Sequence, residues 1–140
     1  MAKSATLNVT QDANNKGITF VNADGTTAKD LFVADATDGS KLYSIAATTS
    51  DTSANNVQLF YNDGTTSFLI ATVRVAIASG TDGEAASVNL LNAAACPFVR
   101  KDNGENPFIE VKAGHKITVA PLVAVTADKT LTLVALGEDY

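Results

Sequence analysis

The sequence predicts an all-β protein: a single-domain antiparallel β-sandwich or jelly roll of about eight strands, with an extended N-terminal arm. Three observations predict it. Short runs of alternating apolar and polar residues recur along the chain, as half-buried strands of period two require. Turn-forming Gly, Asp and Asn residues separate these runs at intervals of roughly ten residues. The longest run, Thr66 to Ile77 (TSFLIATVRVAI), places Leu69, Ala71, Val73, Val75 and Ile77 on one wholly apolar face. Phe68, Ile70, Thr72, Arg74 and Ala76 fall on the other, mixed face. Extended, this run would reach roughly 40 Å, long enough to form the spine of a sandwich. There is no fixed-period repeat and no separate linker, so the chain divides into a polar arm, residues 1–16, and one β-domain, residues 17–140.

The arm (MAKSATLNVTQDANNK) is polar, with only Leu7 and Val9 alternating against Thr6, Asn8 and Thr10. It reads as a frayed terminus or as a segment that orders on a partner surface. Asn8-Val9-Thr10 matches a glycosylation sequon, but no apolar signal segment precedes it to give it weight. Gly17 leads into the first strand, Ile18–Val21, and Asn22-Ala23-Asp24-Gly25 is turn chemistry. Lys29–Val33 is extended again, residues 35–39 (DATDG) turn, and Lys41–Thr49 is the next strand. After the polar loop Ser50–Asn56, the alternating segment Val57–Tyr61 runs into Asn62-Asp63-Gly64-Thr65 and then the long run. Two strand patterns around an Asp-Gly turn form the strongest hairpin signal in the chain.

Beyond Ile77, residues 78–83 form a flexible loop. A short strand near Ala86–Leu90 is expected, then about one helical turn through Leu91–Ala95, which Pro97 prevents from continuing. Arg100–Pro107 reads as an exposed loop and Phe108–Val111 as a short strand. The strand-like Ile117–Val125 contains Pro121, which cannot donate to a ladder, so an edge position or a bulge is expected there. Thr130–Leu136 is the last strand.

Composition excludes several classes. The chain has 140 residues, a formal net charge of −5, no Trp, and only 18% charged residues. It is too apolar for a disordered chain, and its apolar runs stop short of the ~20 residues a spanning helix needs, so no membrane partner is expected. An acidic balance with scattered Lys and Arg argues against nucleic-acid binding, where cations supply most of the affinity. A single cysteine, Cys96, leaves no intrachain disulfide, so the core, or assembly with further copies, must hold the domain.

No catalytic set stands out. His115, the only histidine, sits in a Gly-containing turn, where a solvated loop residue is the ordinary reading. Cys96 reads as a buried, inert thiol. One His and one Cys cannot build a zinc site within one chain. Asp82 and Glu84 flank Gly83, and Asp102, Asn103 and Glu105 surround Gly104; such oxygen-rich loops can bind calcium, but neither has EF-hand spacing and both are first of all turn formers. Nothing marks two acids as a glycosidase pair, and no Gly-rich phosphate loop follows a strand, so no cofactor is expected. Arg74, the one charge in the long run, is either a solvated outward residue or a residue that pairs with an acid of another subunit.

The succession LYSIAATTSDTSANNVQLFYNDGTTSFLIATVRVAIASGTDG, then SVNLLN, PFIEVKAGHKITV and the terminal TLTLVALGEDY, resembles the small head proteins of tailed bacteriophages known as decoration or cement proteins. The likeness spans about Lys41 to Tyr140. It implies a β-sandwich or jelly-roll virion protein, made in the host cytoplasm, that sits on the outer surface of the capsid. The implied partners are further copies of itself, as a homotrimer, and the major capsid protein. On this reading Lys3, Leu7, Val9 and Lys16 of the arm would meet the shell. Phe68, Ile70, Arg74 and Tyr140 would meet the neighbouring subunit. The alternative is a receptor- or carbohydrate-binding β-module of a head fibre or tail-associated protein, using the loops Ser50–Asn56, Ser79–Gly83 and Lys101–Asn106. A hydrolase is the weakest of the three.

Overall fold

The computed structural model describes residue 10 and residues 12–140. Its strands in chain order are β1 Asp12–Phe20, β2 Lys29–Val33, β3 Ser40–Thr49, β4 Asn55–Asn62, β5 Ser67–Val75, β6 Val88–Asn89, β7 Arg100–Lys101, β8 Pro107–Val111, β9 Lys116–Pro121 and β10 Leu131–Asp139. They form two antiparallel sheets. One has the order β1-β10-β3-β8-β7, with β6 also pairing β3; the other is β2-β9-β4-β5. With the two-residue strands set aside, the orders β1-β10-β3-β8 and β2-β9-β4-β5 are the winding of a jelly roll. The expected sandwich is therefore the observed fold.

The core lies between the sheets. Leu42, Ile45, Ile109, Leu131 and Leu133 face inward from the larger sheet, and Phe32, Val57, Leu59, Ile117 and Val119 from the smaller; all ten are 0–1% exposed. Burying a Leu, Ile or Phe side chain contributes roughly 1.5–3 kcal/mol each, which is how a disulfide-free domain of this size stays folded. Cys96 is buried in the same cluster.

The hairpin forms where the sequence placed it. Asp63 Oδ1 accepts the N–H groups of Thr65 and Thr66 at 3.0 and 2.8 Å, and Gly64 takes φ +96°, a conformation that favours glycine. Lys29–Val33 is a strand with the expected bounds. After β6 the chain makes one helical turn, closed by the Cys96 N–H donating to Asn92 O at 2.8 Å.

Several elements differ from expectation. β1 begins at Asp12, so residues 12–16 of the expected arm belong to the sheet and pair with β10. Asn14 and Asn15, read as a break, are used there: Asn14 Nδ2 donates to Asp139 Oδ1 at 2.8 Å, and Asn15 Oδ1 accepts the Gly137 N–H at 3.3 Å. The long strand is shorter than its sequence pattern, ending at Val75, and Ile77 is 52% exposed. Arg100–Lys101 is not loop but a short edge strand on β8.

β9 is an interior strand, not an edge, and Pro121 is its last residue. The Leu122 N–H donates to Asn56 O at 2.8 Å, so the preceding proline nitrogen points away from β4. On that other side β2 pairs no further than Val119, and the missing donor leaves no ladder bond unmade.

Between Leu136 and Gly137 the β10–β3 register shifts. A Cβ at Gly137 would lie 2.5 Å from both Lys41 O and the Phe32 ring, so only glycine fits where this bulge presses onto the core.

Candidate functional site

The residues named from sequence as assembly contacts lie in three places. Phe68, Ile70 and Arg74 are on β5, which among the described residues pairs only β4 and so leaves one side of its backbone as a sheet edge. A register shift between Leu59 and Phe60 changes which face each presents. Above it, Ala71, Val73 and Val75 are buried while Thr72 and Arg74 are exposed and point outward, opposite Gln58 and Asn56. Below it Leu69 lies opposite outward-facing Phe60, and Phe68 lies opposite Tyr61, on the core side at the open end of the sandwich. Ile70, the extra residue, packs half-buried against the core.

Strict alternation had put Phe68, Ile70 and Arg74 on one face; the bulge separates them and brings Leu69 out beside Arg74 instead. Phe68 and Leu69 are both 54% exposed. Arg74 makes no ion pair among the described residues.

Tyr140 directly follows β10 of the other sheet. Its hydroxyl donates to Glu110 Oε1 at 2.8 Å, and its N–H donates to Gly39 O at 3.2 Å. Burial pushes the phenol well above its ordinary range, and the Glu110 hydrogen bond and charge add to the effect. Lys16 is exposed on edge strand β1, whereas Lys3, Leu7 and Val9 lie outside the described residues.

The structure adds a surface that sequence reading missed. Across β1, β10 and β3, three successive outward rows carry no charge: Thr19, Thr132 and Thr48; Gly17, Val134 and Ala46; Asn15, Leu136 and Ser44. Val134 and Leu136, 38% and 46% exposed, stand at its centre. A partial signal was present in TLTLVAL, where the outward alternate set ends on Val134 and Leu136 and holds no charge. Apolar residues on the outer face of a strand whose inner face is already buried mark a surface suited to a partner.

The other sequence candidates act within the chain. His115 Nδ1 is 2.8 Å from the Tyr61 hydroxyl. Asp82 Oδ1 accepts the N–H groups of Glu84 and Ala85, and Asp102 Oδ1 those of Gly104 and Asn106. These backbone hydrogen bonds, those from Ala85 and Asn106 foremost, hold both carboxyls below the usual carboxylate range. Among the described residues no group of three or more His, Cys, Asp or Glu is placed to hold a metal ion. In the Ser50–Asn56 loop, Asp51 is 3% exposed and bonded to Thr126 and Ser53, so it is a structural staple rather than a ligand group.

No known protein family and no curated protein matches the chain. Among solved structures, a chain of the cyanophage Pam1 capsid asymmetric unit is similar, with a TM-score of 0.47 and 12% identity over 99% of this chain and 94% of that one. At that distance the likeness bears on neither function nor partners.

Proposed function

We propose that this chain is a virion structural protein, a decoration or cement protein that binds the outer surface of a phage head as a homotrimer and stabilises it. The observation that carries this reading is the jelly-roll winding of β1 to β10 with the two-residue β6 and β7 set aside, six strands of which fall in the stretch, Lys41–Tyr140, whose sequence resembles such proteins. Jelly rolls also serve lectins and cupins, so the winding narrows the class and the sequence resemblance selects within it. Two surfaces suit assembly: the β5 edge with Leu69 and Arg74, and the uncharged face centred on Val134 and Leu136. An edge strand covered by a neighbour no longer invites aggregation. A protein that binds only the assembled shell shifts the equilibrium toward it, which is the physical content of cementing. Lys3, Leu7, Val9 and Lys16 would contact the major capsid protein, and Phe68, Ile70, Arg74 and Tyr140 the adjoining subunits.

An electron-microscopy map of the intact particle tests the reading, with density for three copies per site on the outer shell as the expected result. Density on the tail or on a fibre would favour the receptor-binding alternative. Deletion of residues 1–11, which spares β1, is expected to lower shell occupancy; unchanged occupancy would sink the role of the arm.

A further inference from the structure

At the end of the sandwich where β3 begins and β8 ends lies a cleft of about 610 Å³. That volume is in the range of small-molecule sites, roughly 300–1,000 Å³. Lys41, Arg100 and Lys112 line it together with the carboxylates of Asp38 and Glu110. Three cationic side chains thus meet two carboxylates there, although the chain carries a net charge of −5. Lys41 and Lys112 make no ion pair among the described residues. Arg100 reaches Glu110 only at 3.7 Å, with the two side chains 69% and 50% exposed, so this pair is weak and leaves guanidinium donors free.

Two aromatic rings complete the lining, and both are fixed in advance. Phe98 is 45% exposed and rests on Tyr61, with ring centroids 5.3 Å apart. The Tyr61 hydroxyl accepts the Lys112 N–H at 3.3 Å and has its hydrogen free for His115 Nδ1 at 2.8 Å. Tyr140 is held at both its N–H and its hydroxyl, and Lys41 Nζ lies 5.8 Å from its ring. A platform already ordered in the free protein costs little conformational entropy on binding.

From this lining we infer that the cleft binds an acidic saccharide. One carboxylate would meet Lys41 and Lys112, the apolar face of the ring would lie on Phe98, and hydroxyl groups would donate to Glu110 and Asp38. A phosphate dianion has one hydroxyl at most to donate to those two carboxylates and is repelled by them. An extended acidic peptide would need strand edge to pair with, and β7 beside the cleft is two residues long. Every group in the cleft comes from one chain, so the inference is tested on the free protein; a subunit contact through Tyr140 would share this lining.

Calorimetric titration of the full chain with a galacturonate trisaccharide tests it, with the neutral galactose trisaccharide, a glutamate peptide and inorganic phosphate as comparisons. The uronate is expected to bind with a Kd of about 1 mM or tighter, and the neutral sugar at least about tenfold more weakly. Phe98→Ala and Lys112→Ala should each weaken uronate binding about tenfold, with the far-ultraviolet circular dichroism unchanged. Lys112 is exposed, so its substitution keeps the test valid if Phe98→Ala unfolds. Equal affinity for the neutral sugar would overturn the inference. So would preference for the peptide or phosphate, uronate binding that ignores Lys112→Ala, or no uronate binding.

Discussion

The Thr126 hydroxyl donates to the Asp51 carboxylate at 2.6 Å, joining two loops 75 residues apart in the chain. Asp51 also accepts the N–H groups of Thr126 and Ser53, each at 3.0 Å, and its own carbonyl accepts the Ala78 N–H. One buried side chain thus ties the β3–β4 loop to the β9–β10 loop and its backbone to the segment after β5. Asp51→Ala would remove the charged acceptor shared by the Thr126 hydroxyl and the Thr126 and Ser53 N–H groups. The expected cost is about 2 to 3 kcal/mol, read as a lower urea midpoint with an unchanged slope. A midpoint within error of the parent would show that water replaces the carboxylate freely.

The same group sets a pH dependence. Burial would raise the pKa of Asp51, but the hydrogen bonds from the Thr126 hydroxyl and N–H, and from Ser53 and Thr52, outweigh it and hold the carboxyl below its ordinary value. The folded-state pKa is depressed, so the folded state binds a proton less readily than the unfolded chain does. The stabilisation is therefore fully present above the unfolded value, about 3.9, and is lost as pH falls through the lower folded value. Urea unfolding of parent and Asp51→Asn at a series of pH values should show a stability gap that is constant near neutrality and narrows below about pH 4. A gap that widens on acidification would reverse the assigned sign.

Gly137 is expected to tolerate no side chain. Its Cβ would meet Lys41 O and the Phe32 ring, and Phe32 is fully buried and cannot move aside. Gly137→Ala should cost about 3 kcal/mol and lower the Tm by roughly 10 °C. A change of only a degree or two would mean that the bulge relaxes.

Arg74 tests the proposed subunit contact. Arg74→Glu on the exposed side of β5 should leave the monomer fold intact and weaken self-association by about tenfold, seen by light scattering across a concentration series. Because Arg74 has no acid partner within the described chain, monomer stability should be unaffected. A parent protein that stays monomeric at high concentration would remove the trimer altogether.

Much of the fold was legible in the sequence because local chemistry and tertiary need agree. Lys29–Val33 has β-favouring residues between turns, and Asn-Asp-Gly-Thr suits a hairpin whichever sheet receives it. β1 was only half legible: nothing in Asp12–Lys16 favours a strand, and the segment is extended because β10 has an unpaired edge and Asp139 and Gly137 offer its asparagines partners. The cleft was least legible, since Lys41, Phe98, Lys112 and Tyr140 are separated along the chain and share no motif.

The sequence by itself determined the period-two patterning, the turn positions and the lack of any disulfide, and with them an all-β sandwich held by its core. Only the tertiary structure decided the jelly-roll order, the bulge that parts Phe68 from Arg74, and the meeting of distant cations and rings in one cleft. The physical reason is range. Alternation and turn propensity act over a few residues, whereas strand order, bulges and surface clusters depend on pairings between segments far apart in sequence.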